Sequence, residues 1–256
     1  MKNLFCLIPF LWLLQSCASY DSEKEDVSNE ATNVELDSSE NLDYVNEIID
    51  FGEEKFEMLP TNDTTKFQGV EGYEWTDEYP HLKWANGVSR NSDTLLFLLE
   101  NGDTTMIIDV PYIEGDENTR GNEHLTAQYS FQGSVPGANY WHLHAGGYEG
   151  HWSVLINKKN GFKVVLSGNP ISSPNGEYLM AVNPDIESGY TINCLELFEV
   201  LDDSLREIGS YEPADWGPKS VKWISEDELI ITKMTICPDT DNFEYCYENV
   251  LLRRMK

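Results

Sequence analysis

The chain has 256 residues, of which 40% are apolar and 12% aromatic, and its 17 basic and 45 acidic side chains give a formal net charge of −28. These numbers exclude a collagen-like chain, a disordered chain poor in aromatic residues, and a basic nucleic-acid-binding protein, because nucleic acids are bound through Lys and Arg. We therefore expect no nucleic-acid partner. The length leaves room for a sizeable core in one or two domains.

The first residues have the pattern of an export signal. Met1-Lys2-Asn3 is a short positive start, residues 4–14 form an eleven-residue apolar run, and Ser16 places a small side chain before Cys17. An eleven-residue helix rises only about 16 Å, roughly half the thickness of the hydrocarbon layer, so the run is too short to span a membrane. The segment resembles a bacterial lipoprotein signal peptide with its lipobox.

This resemblance implies that residues 1–16 are removed and that Cys17 carries a lipid. The acidic stretch at 18–26 resembles the surface-export tether of Bacteroidetes-type lipoproteins. It implies a lipid-anchored protein at the outer membrane or cell surface of a Gram-negative bacterium, with the periplasmic face as the alternative. The membrane would then be a partner through the lipid on Cys17. A plain secretory peptide with an incidental Cys17 is the other interpretation.

Two short segments precede the region predicted to fold. Residues 17–40 are rich in Ser, Glu, Asn and Asp, a composition that predicts a disordered acidic linker. From residue 41 apolar side chains recur at intervals of three and four up to Pro60, which predicts one amphipathic helix over 41–60. Those side chains are Leu42, Val45, Ile48, Ile49, Phe56 and Leu59. A helix that forms only transiently within the linker is the alternative.

Residues 61–256 have the pattern of a β-domain. Apolar residues alternate, and Gly, Asn, Pro and Asp punctuate the segments. The clearest hairpin runs from 95 to 110 around Asn101-Gly102, a pair suited to a tight primed turn. Further strands are predicted at 152–157, 162–166, 178–182, 192–200, 221–224, 229–235 and 245–253. Antiparallel strands at this spacing are typical of a sandwich, a barrel or a propeller.

A turn sequence favours the propeller. Ser173-Pro174-Asn175-Gly176, within residues 171–180, resembles the strand-entry turn of TolB-type and WD-like propeller blades. Residues 223–231 look like a second copy without the Pro and the Gly, about fifty residues later, and a repeat of this length is typical of stacked four-stranded blades. The resemblance implies an all-β domain of antiparallel blades, a small or open β-propeller-like fold, with a β-sandwich as the alternative.

The cysteines fall into three groups. Cys6 leaves with the signal peptide, and Cys17 takes the lipid. Cys237 and Cys246 flank an eight-residue loop between two predicted strands, and we predict a disulfide between them because export permits one and the strand ends are adjacent. Cys194 lies in an apolar run and is expected to be a small buried side chain.

Three histidines form one candidate metal site. His142 and His144 share one side of a predicted strand, and His151 could return on its neighbour. We favour the interpretation that these imidazoles are hydrogen-bonded packing groups, and we expect no metal and no cofactor. Motifs for nucleophilic, zinc-dependent and phosphate-binding chemistry are absent from the sequence, which favours a non-enzymatic role.

The aromatic residues suggest a binding role or a packing role. Aromatic side chains cluster within 67–87 and around the histidines, and loop aromatics are typical of peptide and glycan sites, although they also fill cores. We expect an envelope lipoprotein whose non-enzymatic β-domain binds a protein, peptide or glycan. The alternatives are a metal-dependent enzyme or metal-binding protein that uses the histidines, and a structural accessory subunit of an envelope complex.

Overall fold

A computed structural model describes residues 47–61, 77–110, 126–147, 150–238 and 244–256. The predicted signal peptide, the lipidation site Cys17 and the acidic linker over 17–40 lie outside these ranges. Within them, no helix is both long enough and apolar enough to cross a bilayer.

The described residues form four antiparallel sheets and one helix. A hairpin of β1 (Ile48–Asp50) and β2 (Lys55–Pro60) comes first, followed by α1 (Glu78–Trp84). Sheet I contains β3 (Val88–Asn91), β4 (Thr94–Leu98) and β5 (Thr104–Ile108). Sheet II contains β6 (Gln128–Ser134), β7 (Tyr140–Gly146), β8 (His151–Asn157) and β9 (Lys163–Leu166). Sheet III contains β10 (Asn169–Ser172), β11 (Tyr178–Asn183), β12 (Cys194–Val200) and β13 (Leu205–Tyr211). Sheet IV contains β14 (Gly217–Trp223), β15 (Glu228–Ile236) and β16 (Tyr245–Arg254), and the first hairpin completes it in the order β1-β2-β16-β15-β14.

The sheets stack face to face in chain order. Strand β11 shows the arrangement, since Leu179 and Ala181 enter a cluster with sheet II whereas Met180 and Val182 enter a cluster with sheet IV. Sheet II is likewise covered on both faces, by sheet I and by sheet III. No apolar cluster of the described residues joins sheet I to sheet IV, so the stack is open. The predicted all-β fold of antiparallel blades is confirmed.

The predicted helix over 41–60 is wrong from residue 47 onward. Asp50 accepts a hydrogen bond from the Gly52 amide (2.7 Å), and Gly52 has φ +87°, a backbone conformation that closes the β1–β2 turn. Phe56 and Met58 then point into the core as alternate residues of β2, which pairs with β16. Pairing with a distant strand thus outweighs the local helical spacing. The folded domain therefore begins before residue 61.

Both copies of the predicted turn connect an edge strand of their sheet to its neighbour. Residues 173–177 join β10 to β11, and residues 224–227 join β14 to β15. Within the first turn, Ser173 Oγ accepts the Tyr178 amide (3.0 Å). A Cβ on Gly176 (φ +73°) would lie 2.3 Å from the Gly137 carbonyl oxygen, so glycine is needed where the turns of sheets II and III touch.

An ion network caps the free edge of β6. Arg90 of β3 bonds to Glu78 through two nitrogens (2.6 and 3.0 Å), to Asp109 (2.9 Å) and to the Tyr129 carbonyl. The two carboxylates in turn accept the Phe131 amide (2.7 Å) and the Tyr129 amide (2.8 Å). Side chains therefore provide the hydrogen bonds that another strand would have supplied.

We expect Arg90→Ala to lower the free energy of unfolding by about 2 to 4 kcal/mol, because two largely buried carboxylates would lose their cation. The Arg90 side chain is 20% exposed. Arg206→Ala is the matched control, since the ion pairs of Arg206 with Glu53 and Glu199 lie at the surface, where solvent screens them, and their loss should change the free energy of unfolding little. Urea denaturation measures both values. Equal losses in the two variants would contradict the structural role of the network.

Candidate functional site

Polar residues replace apolar ones at one end of the stack. Along β7, one face carries buried Tyr140, then His142 and His144. The facing side of β11 changes in the same way, from Leu179 and Ala181 to Asn183. Alternate residues of a strand share a face, so these changes fall at the same end of the interface. Five strand ends meet at this place, namely the end of β7, the starts of β8 and β10, the end of β11 and the start of β14.

A cavity of about 350 Å³ lies at this polar end, between sheets II, III and IV. Ile171, Val182 and Val221 provide its apolar wall. Side chains with hydrogen-bonding groups complete the lining, and they are His151, Asn169, Asn183, Asp185, Ser188, Tyr190, Thr191, Lys219 and Ser220. Small-ligand sites are typically concave, partly apolar and roughly 300 to 1,000 Å³ in volume, so the cavity has the size and chemistry of a small-ligand site.

The two asparagines of the cavity differ in their bonding. Asn183 is buried, and its Nδ2 donates to the Ile192 carbonyl (2.9 Å), which ties the rim of the cavity to β11. The Oδ1 of Asn169 is also buried, but it accepts no hydrogen bond from the described residues. A buried acceptor without a donor costs about 1 to 3 kcal/mol. Since this oxygen has no exposed surface, the cost falls on the folded protein and the oxygen is not part of the surface that a ligand in the cavity meets.

Asp185 organises the loop over 184–193 that forms the rim. Its carboxylate accepts five hydrogen bonds, from the amides of Ser188, Gly189 and Thr191 and from the hydroxyls of Ser188 and Thr191, at 2.7 to 3.0 Å. Burial opposes the charge, but these bonds outweigh it and lower the pKa of Asp185 to about 2. The rim is therefore held by an ionised carboxylate throughout the neutral range.

The three predicted histidines do come together on one face of sheet II. His142 shares a hydrogen bond with Ser153 Oγ (2.9 Å), and burial, helped by His144 and His81, lowers its pKa to about 3. The rings of His144 and His151 lie 5.9 Å apart, and burial and His151 lower the pKa of His144 to about 4. Burial also lowers the pKa of His151, against the attraction of Asp185. The imidazoles are therefore neutral at pH 7.

The proximity of the three histidines does not by itself amount to a metal site within the described residues. Across the described ranges, no group of three or more His, Cys, Asp or Glu side chains is arranged to hold a metal ion. Glu149, which lies between His144 and His151 in the chain, is outside those ranges. His142 is the buried, hydrogen-bonded member of the three, whereas His144 and His151 are half-buried.

The three cysteines within the described residues lie where the sequence predicts them. Cys237 and Cys246 form a disulfide with Cα atoms 5.2 Å apart, which confirms the predicted pair. The neighbouring Tyr245 hydroxyl donates to Glu187 Oε2 (2.8 Å), so this hairpin contacts the rim of the cavity. Cys194 is buried, and burial raises the pKa of its thiol to about 12, which leaves it unreactive.

The sequence did not point to Asn169, Asn183, Asp185 or Lys219 as site residues. Each is a single polar residue near a strand end, and the fold alone brings them together. Of the aromatic residues beside the histidines, Tyr140 and Trp141 are buried in the core. The aromatic residue at the cavity is instead Tyr190, which is 60% exposed on the rim loop.

We expect the free energy of unfolding to fall as the pH is lowered from 7 to 5. In the unfolded chain the His142 imidazole takes up a proton below about pH 6.5. In the folded protein it stays neutral until about pH 3, because it is buried. This difference in pKa lowers the free energy of unfolding by about 2 kcal/mol at pH 5. His142→Gln, which does not titrate, should remove that part of the pH dependence. Urea denaturation of both proteins at the two pH values measures it. The same loss in the variant would contradict the assignment.

Comparison with known proteins assigns no family to the chain. No protein-family model matches it, and neither a curated protein nor a solved structure does. The function proposed next therefore rests on the geometry of the cavity and on the sequence.

Proposed function

We propose that the folded domain is a non-enzymatic binding module and that its cavity holds one unit of a neutral glycan. The observation that carries this proposal is the cavity of about 350 Å³ at the junction of sheets II, III and IV, with apolar side chains on one wall and hydrogen-bonding side chains on the others. A sugar ring has the same division, because its hydroxyls lie at the edge and its C–H groups form apolar faces. Asn169, Tyr190 and Lys219 place side-chain hydrogen-bonding groups in the lining, and these match the hydroxyls at the edge of the ring.

An exposed aromatic side chain on the rim loop also favours a saccharide ligand. Tyr190 is 60% exposed on a loop that five hydrogen bonds to Asp185 hold in place. An exposed aromatic ring on an ordered loop offers a large contact area at a low cost in conformational entropy. Its ring can lie against the face of a sugar whose edge is bound in the cavity.

The charges favour an uncharged ligand. Asp185 and Lys219 are the charged side chains among the described residues that line the cavity, and the Asp185 oxygens already bond to their own loop. A net charge of −28 also repels polyanions. Because the cavity has the volume of a small-molecule site, it suits a single sugar unit better than the surface of a protein partner.

The geometry also supports binding without catalysis. Hydrolysis of a glycosidic bond typically uses two carboxyl groups that flank the bond. Among the described residues, Asp185 is the one carboxylate that lines the cavity, and its pKa of about 2 keeps it from donating a proton at neutral pH. A module that retains its ligand unchanged is the function that these groups can perform.

We expect purified full-length protein to bind simple hexoses such as glucose and N-acetylglucosamine, and Asn169→Ala to weaken that binding about tenfold, the effect of losing one hydrogen bond from a side chain of the cavity lining. Tyr79→Ala is the matched control, because Tyr79 is 68% exposed on α1 and does not line the cavity. Saturation-transfer NMR and calorimetric titration measure the affinities. Absence of binding to every saccharide tested would overturn the proposal.

We also propose that the module is held at the bacterial envelope by a lipid on Cys17. The short positive start, the eleven-residue apolar run and Ser16-Cys17 support this anchor, since they have the order of a lipoprotein signal. The acidic stretch that follows would act as a solvated spacer between the lipid and the β-domain. A tethered binding module would hold its glycan close to the surface of the cell.

Cys17→Ser is expected to move the protein from the membrane fraction to the soluble fraction and to prevent its labelling by a fatty-acid analogue. The Cys194→Ser variant is the control, because the buried Cys194 should not affect the anchor. Fractionation and metabolic labelling of cells that express each variant give the result. Membrane association that survives in Cys17→Ser would contradict the lipid anchor.

A further inference from the structure

A second depression of about 220 Å³ adjoins the cavity, and we call it the side groove. It lies between the β8–β9 edge of sheet II and the rim loop. His151 and Thr191 line both the cavity and the side groove, so the two compartments share a boundary. The remaining lining consists of Trp152, Val165, Leu166, Ser167 and Ile192.

The side groove differs from the cavity in its chemistry. Val165 is 65% exposed and Ile192 is 55% exposed, so two branched apolar side chains face solvent here. Ser167 has few hydrogen bonds left to offer, because its amide and its hydroxyl both donate to Glu196 (2.8 and 2.9 Å). None of the described residues that line the side groove carries an acidic side chain. The side groove therefore suits an apolar group of a ligand.

The boundary between the two compartments is rigid. Thr191 donates to Asp185 through its amide (2.7 Å) and through its hydroxyl (3.0 Å). On the opposite side, a Cβ on Gly150 would lie only 3.1 Å from the Thr191 methyl group, which shows how closely Thr191 approaches the chain at the start of β8. A ligand that leaves the cavity on this side meets the side groove at a fixed distance.

We propose that the ligand is an N-acetylated glycan of at least two units, bound across both compartments. One unit occupies the polar cavity, and the acetyl methyl group of the next unit packs against Val165 and Ile192 in the side groove. This inference rests on the proposed function, because it takes the cavity as a saccharide site. Burial of apolar surface supplies its driving force, whereas hydrogen bonds orient the unit in the cavity.

Two pairs of probes test the inference on the unaltered full-length protein. N,N′-diacetylchitobiose should bind at least tenfold more tightly than cellobiose, which lacks the acetyl groups. The ratio of the affinities for N-acetylglucosamine and glucose measures any preference for an acetyl group within the cavity itself. The ratio of the affinities for the two disaccharides should exceed it. Calorimetric titration gives the four affinities.

Variants locate the effect in the side groove. Val165→Ser and Ile192→Ser should each weaken the binding of N,N′-diacetylchitobiose severalfold, and their combination should weaken it at least tenfold. Phe162→Ser is the matched control, because Phe162 is 52% exposed beside β9 but does not line the side groove, and it should leave the affinity unchanged. Thermal unfolding of each variant shows whether the fold is intact, and the comparison of probes on the unaltered protein requires no variant.

The outcomes separate the inference from the proposed function. If monosaccharides bind but the acetylated disaccharide shows no additional gain over cellobiose, the side groove is not a subsite and the inference is overturned while the proposed function stands. An intact double variant that retains full affinity for the acetylated disaccharide overturns it as well. If no saccharide binds, both fail together.

Discussion

Sheets II and III are covered by neighbouring sheets on both faces, and the rest of the structure depends on this constraint. A strand buried on both faces needs apolar side chains at successive positions, as in Leu179, Met180, Ala181 and Val182 of β11. Where that run ends, at Asn183, the sheets can no longer exclude polar groups, and the cavity begins. The apolar end and the polar end of the stack thus result from one change of side-chain polarity along the same strands.

The acidic residues of the chain contribute to this architecture as hydrogen-bond acceptors. Glu78 and Asp109 accept amides on the free edge of β6, Glu196 accepts the Ser167 amide after β9, and Asp185 accepts three amides of the rim loop. Each carboxylate accepts main-chain amides that no strand of the described residues pairs. Part of the acidic excess therefore stabilises strand edges and loops.

The sequence predicted the elements whose signals are local. The hairpin around Asn101-Gly102 and the turn at 173–176 could be predicted because turn residues have fixed backbone requirements, and the Cys237–Cys246 pair could be predicted because its strands are adjacent in the chain. The tight primed turn predicted at Asn101-Gly102 is wrong, because residues 99–103 connect β4 to β5 and Gly102, but not Asn101, has a positive φ. The helix predicted over 41–60 failed because β2 pairs with β16, about 190 residues away in the chain, and no local pattern reports that pairing. The cavity was missed for the same reason, since Asn169, Asp185 and Lys219 become neighbours only when three sheets meet.

The central claim is that the polar end of the stack is a saccharide site, and mapping of ligand contacts by NMR tests it most directly. In a ¹⁵N-labelled sample titrated with N-acetylglucosamine, the account predicts the largest shifts at the Asn169 side-chain amide and at the backbone amides of Gly150, His151 and Thr191. Amides on the exposed outer face of sheet I, such as those of Leu96 and Leu98, should remain unchanged. Shifts confined to sheet I, or no shifts at millimolar sugar, would contradict the account.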